Sequence, residues 1–310
     1  MDNHLVKQIL STVAYYDVMD YPMTNFEIWK YLVRINNAEK INLISFWEVT
    51  MALENEALKK IITEKNGFHF LKGREKLVEL RIKRNKISVR KIKKLCPYSR
   101  WIALVPFVRG IAASGRLAMK NAEEGSDWDL KIIIKKGKIF TGRFLVTILV
   151  HFLGKRRHGK KIKDRVCLNH FIAQGSEVAM KDIYSAHEYS FLLPLFGSEE
   201  ISRFQEANAW ISDFKVNYFG EQASNFISEP SHTAIFFKKI LEAIFSFNGI
   251  EYILKKIQTY KIQHNPKTAQ KGGAVIYTDE ELAFWPNFEN QGPKIFSQFQ
   301  ENLEELVYKK

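Results

Sequence analysis

Apolar positions recur at helical spacing along residues 4–16, HLVKQILSTVAYY, and predict a first helix. DYPMTNFEIWKYLV follows, with Thr24 as a helix N-cap and Ile28, Tyr31 and Leu32 on one face of a second helix. A third helix is expected from about Ser45, through SFWEVTMALENEALKK. It runs into IITEKNGFHFLKG, where Asn66-Gly67 between two β-prone runs is a hairpin signal. Three helices followed by a hairpin is the order of a winged helix, assigned here to residues 1–73.

Residues 74–100 keep an apolar stripe through Leu77, Leu80, Ile87, Ile92 and Leu95, which predicts a connecting helix, unbroken or broken. Beyond Pro97 the pattern changes. Val108 to Ala113 reads as a short strand, Ser114-Gly115 as a turn, and WDLKIII as a second strand. Successive strand side chains point to opposite faces, so Asp127, Asp129 and Lys131 share one face and Trp128, Leu130, Ile132 and Ile134 the other. The run FLVTILVHFLG, 144–154, is too short to span a bilayer and predicts a buried helix. RVCLNHFIA, 165–173, is a third strand. From about residue 180 the spacing is helical, interrupted by a loop or hairpin at 265–282. The predicted fold is α+β: an N-terminal winged helix, a basic linker at 74–100, a core with a small mixed sheet at 101–180, and a mainly helical subdomain at 181–310.

Composition narrows the function classes. With 310 residues, 46% of them hydrophobic, the chain can form two or three folded domains. Two cysteines make no disulfide framework, and MDNHLVKQIL lacks the pattern of a secretory leader, so a cytoplasmic setting without membrane contact is expected. The net charge of +13 points to a polyanionic partner, and its placement points further. Residues 72–100 hold twelve Lys or Arg, and KRRHGKKIKDR, 155–165, holds seven in eleven. Each is either a solvated face or a track for nucleic-acid phosphates. The third helix carries Glu48, Glu54 and Glu56 and no cation before Lys59, which suits packing or a protein partner better than duplex DNA.

The chemistry concentrates in GIAASGRLAMKNAEEGSDWDLKIII, 110–134. Two carboxylates two positions apart on one strand can jointly hold hard divalent ions, which favour oxygen ligands and substrate phosphates. A Ser-Gly turn lets backbone N–H groups approach a phosphate. A strand-edge turn alone also favours Ser-Asp.

A Gly-containing turn, a short gap and then Asp-x-Asp on a strand resembles the signature of the DNA polymerase β-type nucleotidyltransferase superfamily. DYPMT, FHFLKG, VPFVRGIAASGRLA and VCLNHFIA are similar to prokaryotic proteins in which a winged helix precedes such a domain. The motif covers about 25 residues, and the looser likeness about two-thirds of the chain. The resemblance implies transfer of a nucleoside monophosphate from an NTP to an acceptor hydroxyl. It implies Mg²⁺, or Mn²⁺, on Asp127 and Asp129, and triphosphate contacts from Ser114, Gly115 and Arg116. Ser126 would support the strand entry and Arg143 would face the phosphates. The chain departs from the pattern twice. Arg116 stands where the family has serine; it can bind phosphate, block the pocket or point outward. The expected third carboxylate is missing from 165–173, which leaves Asp164 just before the strand, or Asn169 as a weak ligand unable to take a proton. These departures keep a second reading open, a catalytically degenerate domain that binds a nucleotide, nucleic acid or protein as a regulator.

Overall fold

The computed structural model describes residues 3–35, 43–218, 226, 230–266, 268, 272–285, 288–290 and 292–308. Its first element is α1, Asn3–Asp17. Thr24 caps α2, Asn25–Lys30, in a capping box with Glu27, and Ser45 caps α3, Phe46–Leu53, in a second box with Glu48. The single helix expected from Ser45 is broken. Asn55 accepts from the Ala57 N–H and starts a separate turn, α4, Glu56–Lys59. Strands β1, Ile62–Lys65, and β2, Phe68–Leu71, pair antiparallel. Asn66 and Gly67 both take left-handed backbone angles between them, as a two-residue hairpin turn requires.

Helix α5, Lys76–Ala103, runs unbroken through the basic segment to β3, Val108–Ala113. One helical turn, α6, Gly115–Ala118, precedes β4, Trp128–Ile134. Helix α7, Ile139–Phe152, then leads to β5, Val166–Ala173. Residues 181–310 carry helices α8 (Ile183–Ser190), α9 (Ser198–Ala207), α10 (His232–Phe245), α11 (Asn248–Gln263) and α12 (Gly292–Tyr308). They also supply strands β6 (Leu193–Phe196), β7 (Ala274–Tyr277) and β8 (Glu281–Trp285).

Among the described residues, six strands form one mixed sheet in the order β6-β3-β4-β5-β8-β7. Only β4 and β5 are parallel neighbours, joined by the crossover through α7. The sheet therefore draws strands from both sides of residue 180, and the hairpin at 274–285 is its far edge rather than a free insertion.

Alternation along β4 sorts two cores. Trp128, Leu130, Ile132 and Ile134 join residues of α5 and α7 in the larger one. Ile133 joins Ala112, Ile172, Tyr189 and Phe204 on the side covered by α8 and α9. A third core holds the N-terminal helices, and it also takes Phe191, Val216 and Phe299. The N-terminal elements thus share buried surface with the C-terminal half.

Half of the basic residues of 72–100 have carboxylate partners. Arg74 pairs with Asp17 and Asp20, Arg81 with Glu27, Arg84 with Glu123, Arg90 with Glu124, and Lys91 and Lys94 with Asp164. Arg81 also lies 3.8 Å from the centre of the Tyr21 ring. Helical periodicity does not reveal this, because a buried cation and an exposed one repeat at the same spacing. No described helix is long and apolar enough to cross a membrane.

Candidate active site

The Ser114 N–H donates to the Asp129 carbonyl at 3.0 Å, which fixes the turn against β4. Gly115 has φ +57°, a conformation that disfavours any side chain, and a Cβ built there would lie 3.4 Å from Asp129 Oδ2 and 3.5 Å from Glu188 Oε1. The turn, Asp129 and Glu188 therefore meet at one point. Asp127 precedes β4 by one residue and joins them. Donor atoms of Asp127, Asp129 and Cys167 all lie within 4.8 Å of one another.

Glu188 is the carboxylate that sequence reading missed. It comes from α8, far along the chain, and reaches Lys131 Nζ at 3.4 Å. Lys131 is two residues beyond Asp129 on the same strand face, so alternation brings both to one helix. Cys167 stands opposite Asp129 in the parallel pairing, and the register slips before Lys131 meets His170. His170 points into the protein, bonded to Glu281 at 2.8 Å. Burial, with the Lys131 charge adding, pushes its imidazole down to about 4.

The electrostatics are crowded. Burial, then the charges of Asp127 and Glu188, raise the Asp129 carboxyl well above the usual carboxylate range, against opposition from Lys131 and the Cys167 thiol. Burial and the two aspartates push the Cys167 thiol up in turn, so it stays protonated. Arg157 relieves part of this crowding. Its Nη1 lies 2.7 Å from Asp127 Oδ2 and donates to Cys167 Sγ at 3.3 Å. Backbone bonds lead it there, from the Val166 N–H to the Lys155 carbonyl and from the Arg157 N–H to the Val166 carbonyl.

The donor set fits a hard divalent cation. Two carboxylates converge; Arg157 occupies Asp127 Oδ2, while Ser114 Oγ in the turn and Asn169 Oδ1 on β5 are, among the described residues, buried oxygens without a hydrogen-bond partner. The Cys167 thiol is a soft donor, which such an ion does not favour over the carboxylate oxygens.

The other sequence candidates are engaged elsewhere. Arg116 points outward, donating through Nε to the Asn121 carbonyl at 3.2 Å and pairing with Glu123 at 3.0 Å. Arg143 donates to Gln258 and stacks on Phe284. The Ser126 hydroxyl bonds the Glu123 carbonyl, closing the loop before β4. Asp164 turns to α5, 2.8 Å from Lys91 and 3.1 Å from Lys94. The chain matches no family model, no curated protein and no solved structure.

Proposed function

We propose that Asp127, Asp129 and the Ser114-Gly115 turn form a nucleotidyltransferase centre of the polymerase β type. One observation carries this reading, the convergence of the glycine turn on Asp129 with Asp127 and Glu188 beside it. Asp127 and Asp129 hold Mg²⁺, with Mn²⁺ as the alternative, and Asn169 and Ser114 supply further oxygens. The ion, when bound, neutralises triphosphate charge and supports the pyrophosphate leaving group. The backbone at Gly115 approaches the phosphates, because no Cβ stands in the way. An acceptor hydroxyl attacks the α-phosphorus of the NTP. The new P–O bond forms as the bond to the β-phosphate oxygen breaks, and pyrophosphate leaves. Glu188 takes the hydroxyl proton at its carboxylate, the role that neither Asp164 nor Asn169 fills.

In this reading the N-terminal elements are a winged helix. Its α3 exposes Trp47 and Met51 beside Glu48 and Glu54 and offers no cation, which favours a protein partner over duplex DNA. Polyanionic acceptors are drawn by the exposed cations of 155–165 and by those of 72–100 that have no carboxylate partner.

Arg157 supports a second reading. It neutralises Asp127 from within the chain, as expected of a degenerate domain that binds a nucleotide without transferring it. Calorimetric titration with the four NTPs, with and without Mg²⁺, tests both. The first reading expects Mg²⁺-dependent binding that Asp127→Ala/Asp129→Ala abolishes, and labelled-NMP transfer that Glu188→Gln lowers at least ~100-fold. Binding without transfer supports the second reading, and no NTP binding sinks both.

A further inference from the structure

Helix α10 is anchored on one side by polar contacts. Buried Lys238 donates to the carbonyls of Ala103 and Val108 at 2.8 and 2.6 Å. Four residues on, Glu242 accepts from the Phe107 N–H and from both terminal nitrogens of Arg109. These anchors fix which side of α10 faces the protein, and the opposite side is apolar. Phe237, Ile240 and Ile244 follow one another at spacings of three and four, with Phe237 64% and Ile244 62% exposed. Phe247, 72% exposed, continues the spacing in the connection to α11. Helix α11 exposes Ile253, Ile257 and Tyr260 at spacings of four and three.

Alternating steps of three and four make the seam that a facing helix fills with its own side chains. A nucleic-acid backbone selects cations rather than an apolar stripe, and a lipid surface is separated from a second copy by the vesicle test below. We propose that α10 and α11 form the docking surface for a second copy of this chain, set against the same helices of the partner across a two-fold axis. The area is adequate. Aromatic side chains bury about 150–250 Å² each, so the exposed shares of Phe236, Phe237, Phe247, Tyr252 and Tyr260 come to roughly 600 Å². Ile240, Leu241, Ile244, Ile253 and Ile257 bring the total to the ~800 Å² per partner of a stable interface. Lys256 shares this side of α11, 4.5 Å from the centre of the Tyr252 ring, so each copy brings a like charge to the contact besides its net +13, and this repulsion is screened by salt. Self-association through this face therefore tightens as salt rises. A complex with an anionic partner weakens instead.

Sedimentation velocity on the full chain tests this. A mass near twice 36.2 kDa is expected at ~100 µM, with a dissociation constant that falls at least ~3-fold between low and physiological salt. Phe237→Lys on α10 and Ile253→Lys on α11 each replace an exposed side chain. Each is expected to weaken the dimer at least ~10-fold while leaving the thermal midpoint of the dilute monomer unchanged. The proposal is overturned by a wild-type chain that stays monomeric at ~100 µM, by a dimer indifferent to both substitutions, or by one that loosens with salt. A monomer that sediments with vesicles of anionic lipid also overturns it.

Discussion

Asp164 and Asp129 flank the same strand-entry region, and both sit beside cations, yet their carboxyls move in opposite directions. At Asp164 burial works against the charge, but hydrogen bonds from Lys91 and Lys94 outweigh it and hold the carboxyl below its ordinary range. At Asp129 burial is reinforced by Asp127 and Glu188, and Lys131 does not compensate. The difference lies in the ratio of charges. Asp164 is one carboxylate between two ammonium groups. Asp129 belongs to three carboxylates that share Lys131 and Arg157. The first arrangement fastens α5 to the loop before β5. The second leaves negative charge unspent, and a cation bound there gains from it.

The largest test of this contrast is Asp164→Ala. It leaves Lys91 buried without its carboxylate and is expected to cost about 3 kcal/mol in urea unfolding, as broken buried pairs do. A loss below ~1 kcal/mol would show that Asp164 is not a fastener. Asp129→Asn should act the other way. A carboxyl raised in the folded state favours folding while protonated, and that contribution is lost as pH rises through its folded pKa. The asparagine variant is then close to wild type near pH 3.5, below the ordinary carboxylate pKa, and more stable by at least ~1–2 kcal/mol at pH 9. Equal stability at both pH values would contradict the crowding described here. Asp164, whose carboxyl is lowered, contributes above the ordinary carboxylate range and loses that contribution in acid. The smallest effect is expected from Arg157→Ala. Its guanidinium is 44% exposed, so removing it shifts stability by less than ~1 kcal/mol. It frees Asp127 all the same, and Mn²⁺ affinity, followed by electron paramagnetic resonance, should rise several-fold.

Local signals in the sequence were legible. Thr24, the Asn66-Gly67 turn and the alternation that sets Asp129 against Trp128 all act through neighbouring residues, and each takes its expected place. The break between α3 and α4 was missed because Asn55 suits an exposed helix position as well as a cap. Glu188 was invisible for another reason. Its meeting with Asp129 depends on how α8 lies on the sheet, and no spacing within HEYS encodes that. The same holds for the pairing of β6 with β3 and of β8 with β5, which lie far apart in sequence, whereas β7 and β8 pair locally within the expected hairpin region. Arg116 and Arg143 were read from proximity along the chain, whereas Glu123, Gln258 and Phe284 compete for their guanidinium groups.

The shared core at the two ends of the chain bears on biosynthesis. Tyr15 on α1 meets Phe299 on α12, with ring centres 5.5 Å apart. About 280 residues separate them, so at ~5–20 residues per second a ribosome makes α1 roughly 15–60 seconds before the helix that covers it. Through that interval the nascent N-terminal unit presents an apolar flank with no lid. Delayed compaction of α1 is the consequence of completing this core with a helix made so much later.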